Sequence, residues 1–575
     1  MKGMMGTGRI ARGSLVALSA LLSLALAAGP AFGATIVVPN DEPTIQDAVD
    51  AAKKGDTIVV KKGGGLGPNG EYHESVDIDT DDITIKCERG AVIDGAIPSD
   101  APGGARVLTT DGIDVDADDV TIDGCTVQHF FFADGIDVFG DGATIKNNTL
   151  LNNLGDGLEL DGDNFLVKNN TAINNGFTLE IPVNGVINIP LFGDGFNIGS
   201  SDGTIVGNTA IANTIDGFNI GSSDSKNIKI LRNRAFRNNS DGFDIEGDDH
   251  SIIGNRAEVN EGDGFDLDDM DRAIVANNLA RGNDEDGFEF DDTDDSTIRR
   301  NVAIENGDDG FDHDNCSNDA NKFERNLAIG NESEGFVSCG DRNEFVNNRA
   351  IENQSEGFDL DCDDDGLAPT GECTGPIIGN RSIRNADDEG FRLQDFEKTT
   401  ISGNKAIGNN EEGFEINNVD KTLFENNLAR DNGQEGFGVF SGSDSNTFKN
   451  NRSIGNAEDG FKINDSDTNT FIKNTITKNF GDGFDIDDTD SDDNIIDGNT
   501  VRNNRGTGIE NNGGAGGDTI IKNNTMKGNR TDLAGKGDDD TDSDCSGFGG
   551  GVDDGFGNTF VTGGFDVCTP GTGDE

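Results

Sequence analysis

The sequence predicts an all-β fold, a parallel β-solenoid in which short coils of chain stack on one another. Three observations predict it. A Gly recurs at intervals of mostly 22 to 25 residues, as at Gly242, Gly264, Gly287 and Gly310. An acidic residue usually precedes this Gly, Phe usually follows it, and a column of Asn recurs in step with it. The segments between are short, are broken by Gly, Asn and Asp, and show no helical periodicity.

The overall composition excludes two classes of protein. The chain has 575 residues, of which 44 are basic and 109 acidic, and its net charge is −65. This charge is opposite to that of a protein that binds nucleic-acid phosphates with basic residues. Hydrophobic residues make up only 33% of the chain, which excludes a multi-pass membrane protein. The regular recurrence of Gly and Phe argues against the disorder that such a charge otherwise suggests.

Four regions are predicted along the chain. Residues 1–33 resemble a secretory signal, because three basic residues precede a short apolar run and Ala31-Phe32-Gly33 fits a cleavage pattern. A single anchoring helix is the alternative for this segment. Residues 34–110 are expected to form an N-terminal cap and the first coils, 111–530 the β-helix repeats, and 531–575 a Gly- and Asp-rich C-terminal cap or tail. The mature protein is predicted to be secreted or periplasmic, with no membrane span.

Each coil is expected to contain about 23 residues in three short strands, with coils stacked roughly 4.8 Å apart. Like residues then lie above one another. The Asn column would form a ladder of side-chain amides at the turns, and the Phe after each Gly would point inward and stack as a core ladder.

The open end of a solenoid exposes strand edges and core, and it therefore needs a cap. Residues 44–54 are predicted to form a short helix that serves as the N-terminal lid. Thr44 and Asp47 resemble a capping box, and Gly55 is placed to end the helix. The apolar face of this predicted helix comprises Ile45, Ala48, Val49 and Ala52.

The chain has eight Cys, all in the predicted mature part, and an even number fits an oxidising compartment. Their spacing alone does not fix the connectivity, and unpaired buried thiols are the alternative. The repeat nevertheless suggests bridges between neighbouring coils and within the tail. The suggested pairs are Cys87–Cys125, Cys316–Cys339, Cys362–Cys373 and Cys545–Cys568.

These columns resemble the right-handed parallel β-helix proteins of the pectin-lyase-like superfamily. The opening segment, with Ile36-Val37-Val38-Pro39, then 43–49 and 55–60, resembles periplasmic NosD-type domains. The resemblance implies a single-stranded right-handed parallel β-helix over almost the whole mature chain. It does not imply one function, because the superfamily includes lyases, hydrolases, epimerases and adhesins.

A calcium loop is the first candidate site. Asp361, Asp363, Asp365, Gly366 and Glu372 have the spacing D-x-D-x-D-G-x5-E of an EF-hand loop. Alternate carboxylates can converge on one cation there, and the last Glu can bind through both oxygens. The segment lies in an over-long interval, which indicates an inserted loop. A solvated acidic loop is the alternative.

An acidic face is the second candidate site. Alternation after each Phe points two acidic positions outward. Carboxylates stacked at this spacing repel one another, which raises their pKa values or recruits cations. The face is therefore predicted to bind cations, or a polymer through them, and a solvated face is the alternative. The pairs are Asp244 and Glu246, Asp266 and Asp268, Glu289 and Asp291, Asp312 and Asp314, Asp359 and Asp361, and Asp485 and Asp487.

Two bases interrupt this face. Arg392 takes the position of Asp359 one coil earlier and of Glu415 one coil later, and Lys462 precedes Asp485 in the same column. Resemblance to polysaccharide lyases makes Arg392 and Lys462 candidate catalytic residues, because such enzymes take a proton beside a uronate carboxyl. Ion pairing within a charged ladder is the alternative role.

Two further features have local interpretations. His313 and Ser338 take usually aliphatic inward positions in adjacent coils, and they are predicted to form a hydrogen-bonded plug rather than a catalytic pair. An Asn-Gly step between the apolar runs 179–183 and 186–189 predicts a β-hairpin. This hairpin is expected either to project as a lip for a partner or to fold back over the coil.

The sequence therefore favours a scaffold that binds an extended carbohydrate polymer, or a cell-surface glycan, with Ca²⁺ as a candidate cofactor. Two alternatives remain: a lyase or epimerase acting on uronate polymers, and a structural or adhesive surface rod without catalysis. The absence of Trp and the single Tyr weaken the carbohydrate interpretation, because sugars favour aromatic platforms.

Overall fold

The fold is that of a computed structural model, which describes residues 33–97, 106–176, 179–182, 186–189, 193–313, 319–362, 374–486, 491, 493–511, 519–536, 559–560 and 567–569. Within these residues the chain forms a right-handed parallel β-solenoid of about 19 turns, which confirms the predicted fold class. Three parallel sheets run along its length, and most turns contribute one strand to each sheet.

Sheet 1 and sheet 2 run along the whole solenoid. Sheet 1 contains the strands Thr35–Val38, Thr57–Val60, Thr84–Cys87, Thr121–Asp123, Thr144–Lys146, Leu166–Lys168, Thr204–Val206, Lys229–Leu231, Ser251–Ile253, Ile274–Ala276, Thr297–Arg299, Lys322–Glu324, Glu344–Val346, Ile377–Ile378, Thr400–Ser402, Leu423–Glu425, Thr447–Lys449, Thr470–Ile472, Ile495–Asp497 and Ile520–Lys522. Sheet 2 contains Val92–Asp94, Thr126–Gln128, Thr149–Leu151, Thr171–Ile173, Thr209–Ile211, Arg234–Phe236, Arg256–Glu258, Leu279–Arg281, Val302–Ile304, Leu327–Ile329, Arg349–Ile351, Arg381–Ile383, Lys405–Ile407, Leu428–Arg430, Arg452–Ile454, Thr475–Thr477, Thr500–Arg502, Thr525–Lys527 and Thr559–Phe560.

Sheet 3 carries the repeated Phe and has two segments, which the isolated bridge between Phe311 and Phe336 links. The N-terminal segment contains Val76–Ile78, Ile113–Val115, Ile136–Val138, Leu158–Leu160, Phe196–Ile198, Phe218–Lys226, Phe243–Asp248, Phe265–Asp268 and Phe288–Asp291. The C-terminal segment contains Val337–Ser338, Phe358–Leu360, Phe391–Gln394, Phe414–Asn417, Phe437–Phe440, Phe461–Ile463, Phe484–Ile486, Thr507–Asn511, Thr531–Lys536 and Val567–Thr569. Outside the three sheets, Ala96–Ile97 pairs with Arg106–Val107 in an antiparallel ribbon.

The core is a column of stacked Phe rings, as predicted. Phe243 pairs with Phe265 and Phe265 with Phe288 in parallel register, and all three side chains are buried. Their ring centroids lie 4.8 Å apart, which matches the spacing between neighbouring strands. In the coils from Phe196 to Phe484 the same apolar side chain is therefore buried against its copy in the next coil.

The Asn column forms the predicted amide ladder. The side-chain amide of Asn278 donates to Oδ1 of Asn301 at 3.1 Å, and the amide of Asn301 donates to Oδ1 of Asn326 at 3.2 Å. Each amide also donates to a backbone carbonyl, as Asn301 does to Val275 at 2.9 Å. The ladder thus satisfies buried backbone groups at the turns between sheet 1 and sheet 2 from Asn148 to Asn524.

The N-terminal lid is a helix from Ile45 to Ala51, shorter than the predicted span of residues 44–54. Thr44 caps it by accepting a hydrogen bond from the backbone of Asp47, as the sequence predicts. The helix ends before the expected stop at Gly55, because Ala52 already has an extended backbone. Its predicted apolar face is buried in the core.

Two other predictions concern cross-links and insertions. The predicted bridge between Cys87 and Cys125 is present. Cys339 and Cys362 are each disulfide-bonded, while Cys316, Cys373 and Cys545 lie outside the described residues.

The predicted hairpin is present as two antiparallel strands, Leu179–Pro182 and Val186–Ile189, in which Leu179 faces Ile189. No helix among the described residues is long and apolar enough to cross a bilayer.

Removal of the Cys87–Cys125 bridge in a Cys87→Ala/Cys125→Ala variant is expected to destabilise the protein by about 3–4 kcal/mol. The bridge closes a loop with a sequence separation of 38 residues, and its loss restores conformational entropy to the unfolded chain. Equilibrium urea unfolding measures the change. A midpoint equal to that of the wild-type protein would contradict the prediction.

Candidate cation-binding face

The outer surface of sheet 3 carries two neighbouring columns of carboxylates. The outer column is the residue after each Phe, or after the Ile or Leu that takes the Phe position in the first coils, as at Asp114, Asp137 and Glu159. It includes the first residue of each predicted outward pair. The inner column is the residue before each Gly, at the turn that leads into sheet 3. The inner column comprises Asp111, Asp134, Asp156, Asp194, Asp216, Asp241, Asp263, Asp286, Asp309, Glu334, Glu356, Glu389, Glu412, Glu435, Asp459 and Asp482. The two columns together are called the acidic face below.

Most residues of the inner column are buried, and its Asp side chains are held by backbone hydrogen bonds. Only 5% of Asp263 is exposed. Its Oδ1 accepts the backbone N–H of Asp286 at 2.5 Å, and Asp241 does the same for Asp263. These bonds resemble those of an N-cap, but they run from coil to coil. They fix each carboxylate directly beneath the next one.

The Gly that follows each inner carboxylate is required by close backbone approach. A Cβ atom on Gly264 would lie 2.6 Å from the carbonyl oxygen of Gly287 and 2.7 Å from the amide nitrogen of Asn283. Neither atom can move without breaking the ladders. The acidic residue, the Gly and the Phe are therefore one structural unit, which presents a carboxylate at the same place in each coil.

Carboxylates from two successive coils converge into triads. In each such triad, each residue contributes one carboxylate oxygen, and these three oxygen atoms lie within 4.8 Å of one another. Two inner carboxylates and the outer carboxylate of the second coil make up the repeated form. The triads of this form include Asp111, Asp134 and Asp137; Asp134, Asp156 and Glu159; and Asp263, Asp286 and Glu289.

The proximity of these carboxyl groups raises their pKa values. Burial, followed by repulsion from Glu159 and nearby Asp, raises the pKa of Asp137 to about 7. Burial and the charges of Asp244 and Glu289 raise the pKa of Asp266 to about 8. Burial also raises the pKa of Asp263, where Asp286 and Glu289 add to the effect. At neutral pH these groups therefore need protons or cations to balance their charge.

Several oxygens of the acidic face lack a hydrogen-bond partner. Among the described residues, the buried atoms Oδ1 of Asp114, Oδ1 of Asp137, Oδ1 of Asp359 and Oε2 of Glu435 make no hydrogen bond. Asp137 is only 7% exposed and belongs to the first triad. A carboxylate oxygen that is buried, unpaired and close to two other carboxylates is a suitable ligand for a hard cation.

The sequence identified only part of this face. The outward positions of Asp244, Asp266 and Asp359 are confirmed, since these side chains lie on sheet 3 and keep a minor part of their surface exposed. The inner column was missed as a site, although its acidic residue is part of the repeat. The available signal was its recurrence before Gly, which is also what an ordinary turn residue shows.

The predicted calcium loop is only partly described. Oδ2 of Asp361 accepts a hydrogen bond from the side-chain amide of Gln394 at 2.8 Å, at the edge of sheet 3. Asp363, Asp365 and Glu372 lie outside the described residues. The loop therefore stays a prediction.

The two basic candidates form ion pairs on the acidic face. The guanidinium of Arg392 lies 2.7 Å from Oδ2 of Asp359, and Nζ of Lys462 lies 3.4 Å from Oε1 of Glu435. Burial alone would lower the pKa of each base, but the paired carboxylate raises it above its ordinary value. Both side chains are therefore held in the protonated form.

His313 and Ser338 meet inside the solenoid. Nδ1 of His313 lies 3.1 Å from Oγ of Ser338, and Nε2 lies 3.0 Å from the side-chain amide nitrogen of Asn321. His313 is completely buried, and burial lowers its pKa to about 3. The ring is therefore neutral, and the group is the hydrogen-bonded plug that the sequence predicts.

Comparisons with known proteins agree with this architecture. The family model described as "Right handed beta helix region" matches residues 111–268, 194–350, 351–453 and 389–559. No curated protein matches the sequence significantly.

Solved structures show weak similarity to the chain. The Dettilon tailspike protein is 13% identical with a TM-score of 0.38, over 54% of this chain and 66% of the tailspike chain, slightly under two thirds of its length. Pectate lyase Pel9A is 17% identical with a TM-score of 0.29, over 65% and 78% of the two chains. The Streptococcus pneumoniae surface protein and adhesin PfbA is 14% identical with a TM-score of 0.30, over 75% and 95%.

Proposed function

Because the chain belongs to the right-handed β-helix family, within the pectin-lyase-like superfamily, we propose that it is a scaffold that binds divalent cations along its acidic face. Through these cations it binds an extended carbohydrate polymer. The observation that carries the proposal is the triad of Asp111, Asp134 and Asp137, in which a buried carboxylate oxygen has no hydrogen-bond partner. Triads of the same composition recur in other coils.

Calcium is the cation that best suits this arrangement. Ca²⁺ prefers several oxygen ligands and tolerates irregular geometry, whereas Mg²⁺ requires a near-ideal octahedron. Three carboxylates from rigid coils leave room on the solvent side for water or for oxygens of a bound molecule. A cation held there can bridge the negatively charged face to the acidic groups of a polymer, which this face would otherwise repel.

A secreted or periplasmic location fits this proposal. The disulfide between Cys87 and Cys125, and the disulfide-bonded state of Cys339 and Cys362, are typical of an oxidising compartment. Free Ca²⁺ is more abundant outside the cytosol, where weak extracellular sites operate.

Binding is favoured over catalysis at Arg392 and Lys462. A lyase needs an unprotonated base beside the sugar carboxyl, but the paired carboxylates stabilise the protonated form of both side chains. A lyase or epimerase centred at Arg392 is the second candidate function, and a rod without ligands is the third.

The Asp137→Asn variant tests the cation site. We expect it to bind one Ca²⁺ fewer than the wild-type protein, because the neutral amide removes a charged ligand from the first triad. Native mass spectrometry across a Ca²⁺ titration counts the bound ions. Asp116→Asn is the matched control, because Asp116 is an exposed residue near the same strands and is not one of the three carboxylates of the first triad. Equal counts in the two variants would remove this triad from the proposal.

Polymer binding is tested with immobilised polyuronates. Biolayer interferometry is expected to show binding of the full chain in Ca²⁺ that EDTA weakens. Binding to no polysaccharide would reject the carbohydrate part and leave the rod. An ultraviolet-absorbing unsaturated product, lost in Arg392→Ala, would establish the lyase instead.

A further inference from the structure

Sheet 2 carries a line of positive charge on its outer surface. Arg349 pairs with Arg381, and Arg381 with Lys405, at the first position of three consecutive parallel strands. The two Arg side chains are exposed and Lys405 is half-exposed. The Phe rings of the same three coils lie 4.8 and 4.7 Å apart, so the three bases follow one another at the coil repeat. These three residues are called the basic column below.

The basic column has no acidic partners within the part of the chain that the structure describes. Glu352, which follows Ile351 at the end of the first of these strands, pairs instead with Arg384. None of the three bases forms an ion pair. Three like charges at this spacing repel one another. The chain has a net charge of −65, but its many carboxylates lie elsewhere and do not neutralise these bases.

An earlier part of the same column shows how this protein neutralises such bases. Arg234 and Arg256 pair at the same strand position, and both contact the carboxylate of Glu258, at 3.1 and 3.0 Å. Glu258 is the third residue of its strand. In the coils of the basic column that third position holds Ile351, Ile383 and Ile407.

Uncharged side chains border the basic column on both sides. Ile351, Ile383 and Ile407 are half-exposed and stack in register beside it. Across the turn, the last residues of the sheet 1 strands in the same coils are Val346, Ile378 and Ser402. The three positive charges thus stand beside largely apolar side chains rather than beside carboxylates.

We propose that the basic column is a second polymer-binding site, which takes a linear anionic polysaccharide, carboxylated or sulfated, along the solenoid axis without a metal ion. The inference rests on the proposed carbohydrate-binding function but assigns a different surface. Without bound metal ions, the anionic polymer is repelled by the acidic face and attracted to the basic column. Its charge therefore determines which surface it approaches. The neighbouring Ile side chains offer apolar contact to the C–H faces of the sugar rings.

The test compares two double variants in the full-length protein. Arg349→Gln/Arg381→Gln removes charge from the basic column, and Arg234→Gln/Arg256→Gln removes the same charge from the neutralised part of the same column. Binding to a polyuronate and to a sulfated glycan is measured in EDTA at low salt. We expect the first variant to weaken binding about tenfold and the control less than twofold. Thermal unfolding checks that both variants fold.

Each outcome separates this inference from the proposed function. Loss of EDTA-resistant binding in the first variant alone supports the basic column. Equal effects of the two variants indicate attraction to net charge only and overturn it. Binding that requires Ca²⁺ and is unchanged in the first variant overturns it as well, while the function proposed for the acidic face stands. Binding to a neutral polysaccharide with the same affinity overturns the role of charge.

Discussion

Acidification from pH 8 to pH 5 in EDTA is expected to raise the melting temperature of the protein by about 10 °C or more. Most small proteins lose stability on acidification because paired carboxylates become protonated. This protein is expected to behave in the opposite way, because the carboxyl groups of the acidic face are buried beside one another. Differential scanning calorimetry at several pH values measures the effect.

The sign follows from the direction of the pKa shifts. In the unfolded chain Asp and Glu titrate near 4, whereas folding raises the pKa of Asp244 to about 7 and those of Asp266 and Glu412 to about 8. Burial is the main cause in each, and neighbouring acidic groups add to it. A raised pKa contributes stability below about pH 4, and this contribution is lost as the pH rises through about 7 to 8.

Other carboxylates set the lower limit of this window. Asp94 and Asp248 have lowered pKa values despite their partial burial, because His129 and Arg272, respectively, donate hydrogen bonds to them. Their contribution to stability is lost as the pH falls below about 4. Maximum stability in EDTA is therefore expected between about pH 4 and 5.5.

Calcium is expected to replace the protons. At pH 8, Ca²⁺ should raise the melting temperature and flatten its dependence on pH, because a bound cation neutralises the same carboxylates. Asp266→Asn removes one of the repelling charges and should reduce the pH dependence. Asp284→Asn, at an exposed turn, is the control and should leave it unchanged. A melting temperature that does not change between pH 5 and pH 8 would contradict the role assigned to the acidic face.

The sequence predicted the fold well because each sequence repeat forms one coil of the solenoid. Phe265 stacks on Phe288, and Asn278 bonds to Asn301, so each column of identical residues is itself a set of contacts. A fixed period therefore determines the register of every strand in the repeat.

The acidic face was harder to predict, for two physical reasons. An acidic residue before Gly is common in exposed turns, and only the coil geometry shows that Asp263 is buried. The choice of ion-pair partner also depends on side-chain conformation. The sequence placed Arg392 between Asp359 and Glu415 in one column, but only the structure shows that its close contact is with Asp359.

Substitution of one Asn in the amide ladder is expected to have the largest effect on folding. Asn301→Ala should reduce the free energy of unfolding by about 3–6 kcal/mol. Asn301 is fully buried, and its Oδ1 accepts both the backbone N–H and the side-chain amide of Asn278. Its own amide donates to Val275 and Asn326. The substitution thus leaves polar groups on both neighbouring coils without partners and without access to water.

The control for this prediction is Asn277→Gly, which changes an exposed Asn one residue before Asn278. Asn277 has a φ of 57°, and Gly adopts this conformation without strain, so a cost below about 1 kcal/mol is expected. Urea unfolding followed by circular dichroism measures both variants. Because each coil contacts only its neighbours, the defect should also divide the solenoid, and the Asn301→Ala protein should unfold in two transitions. Equal costs in the two variants would mean that stacking of Phe, rather than the amide ladder, holds successive coils together.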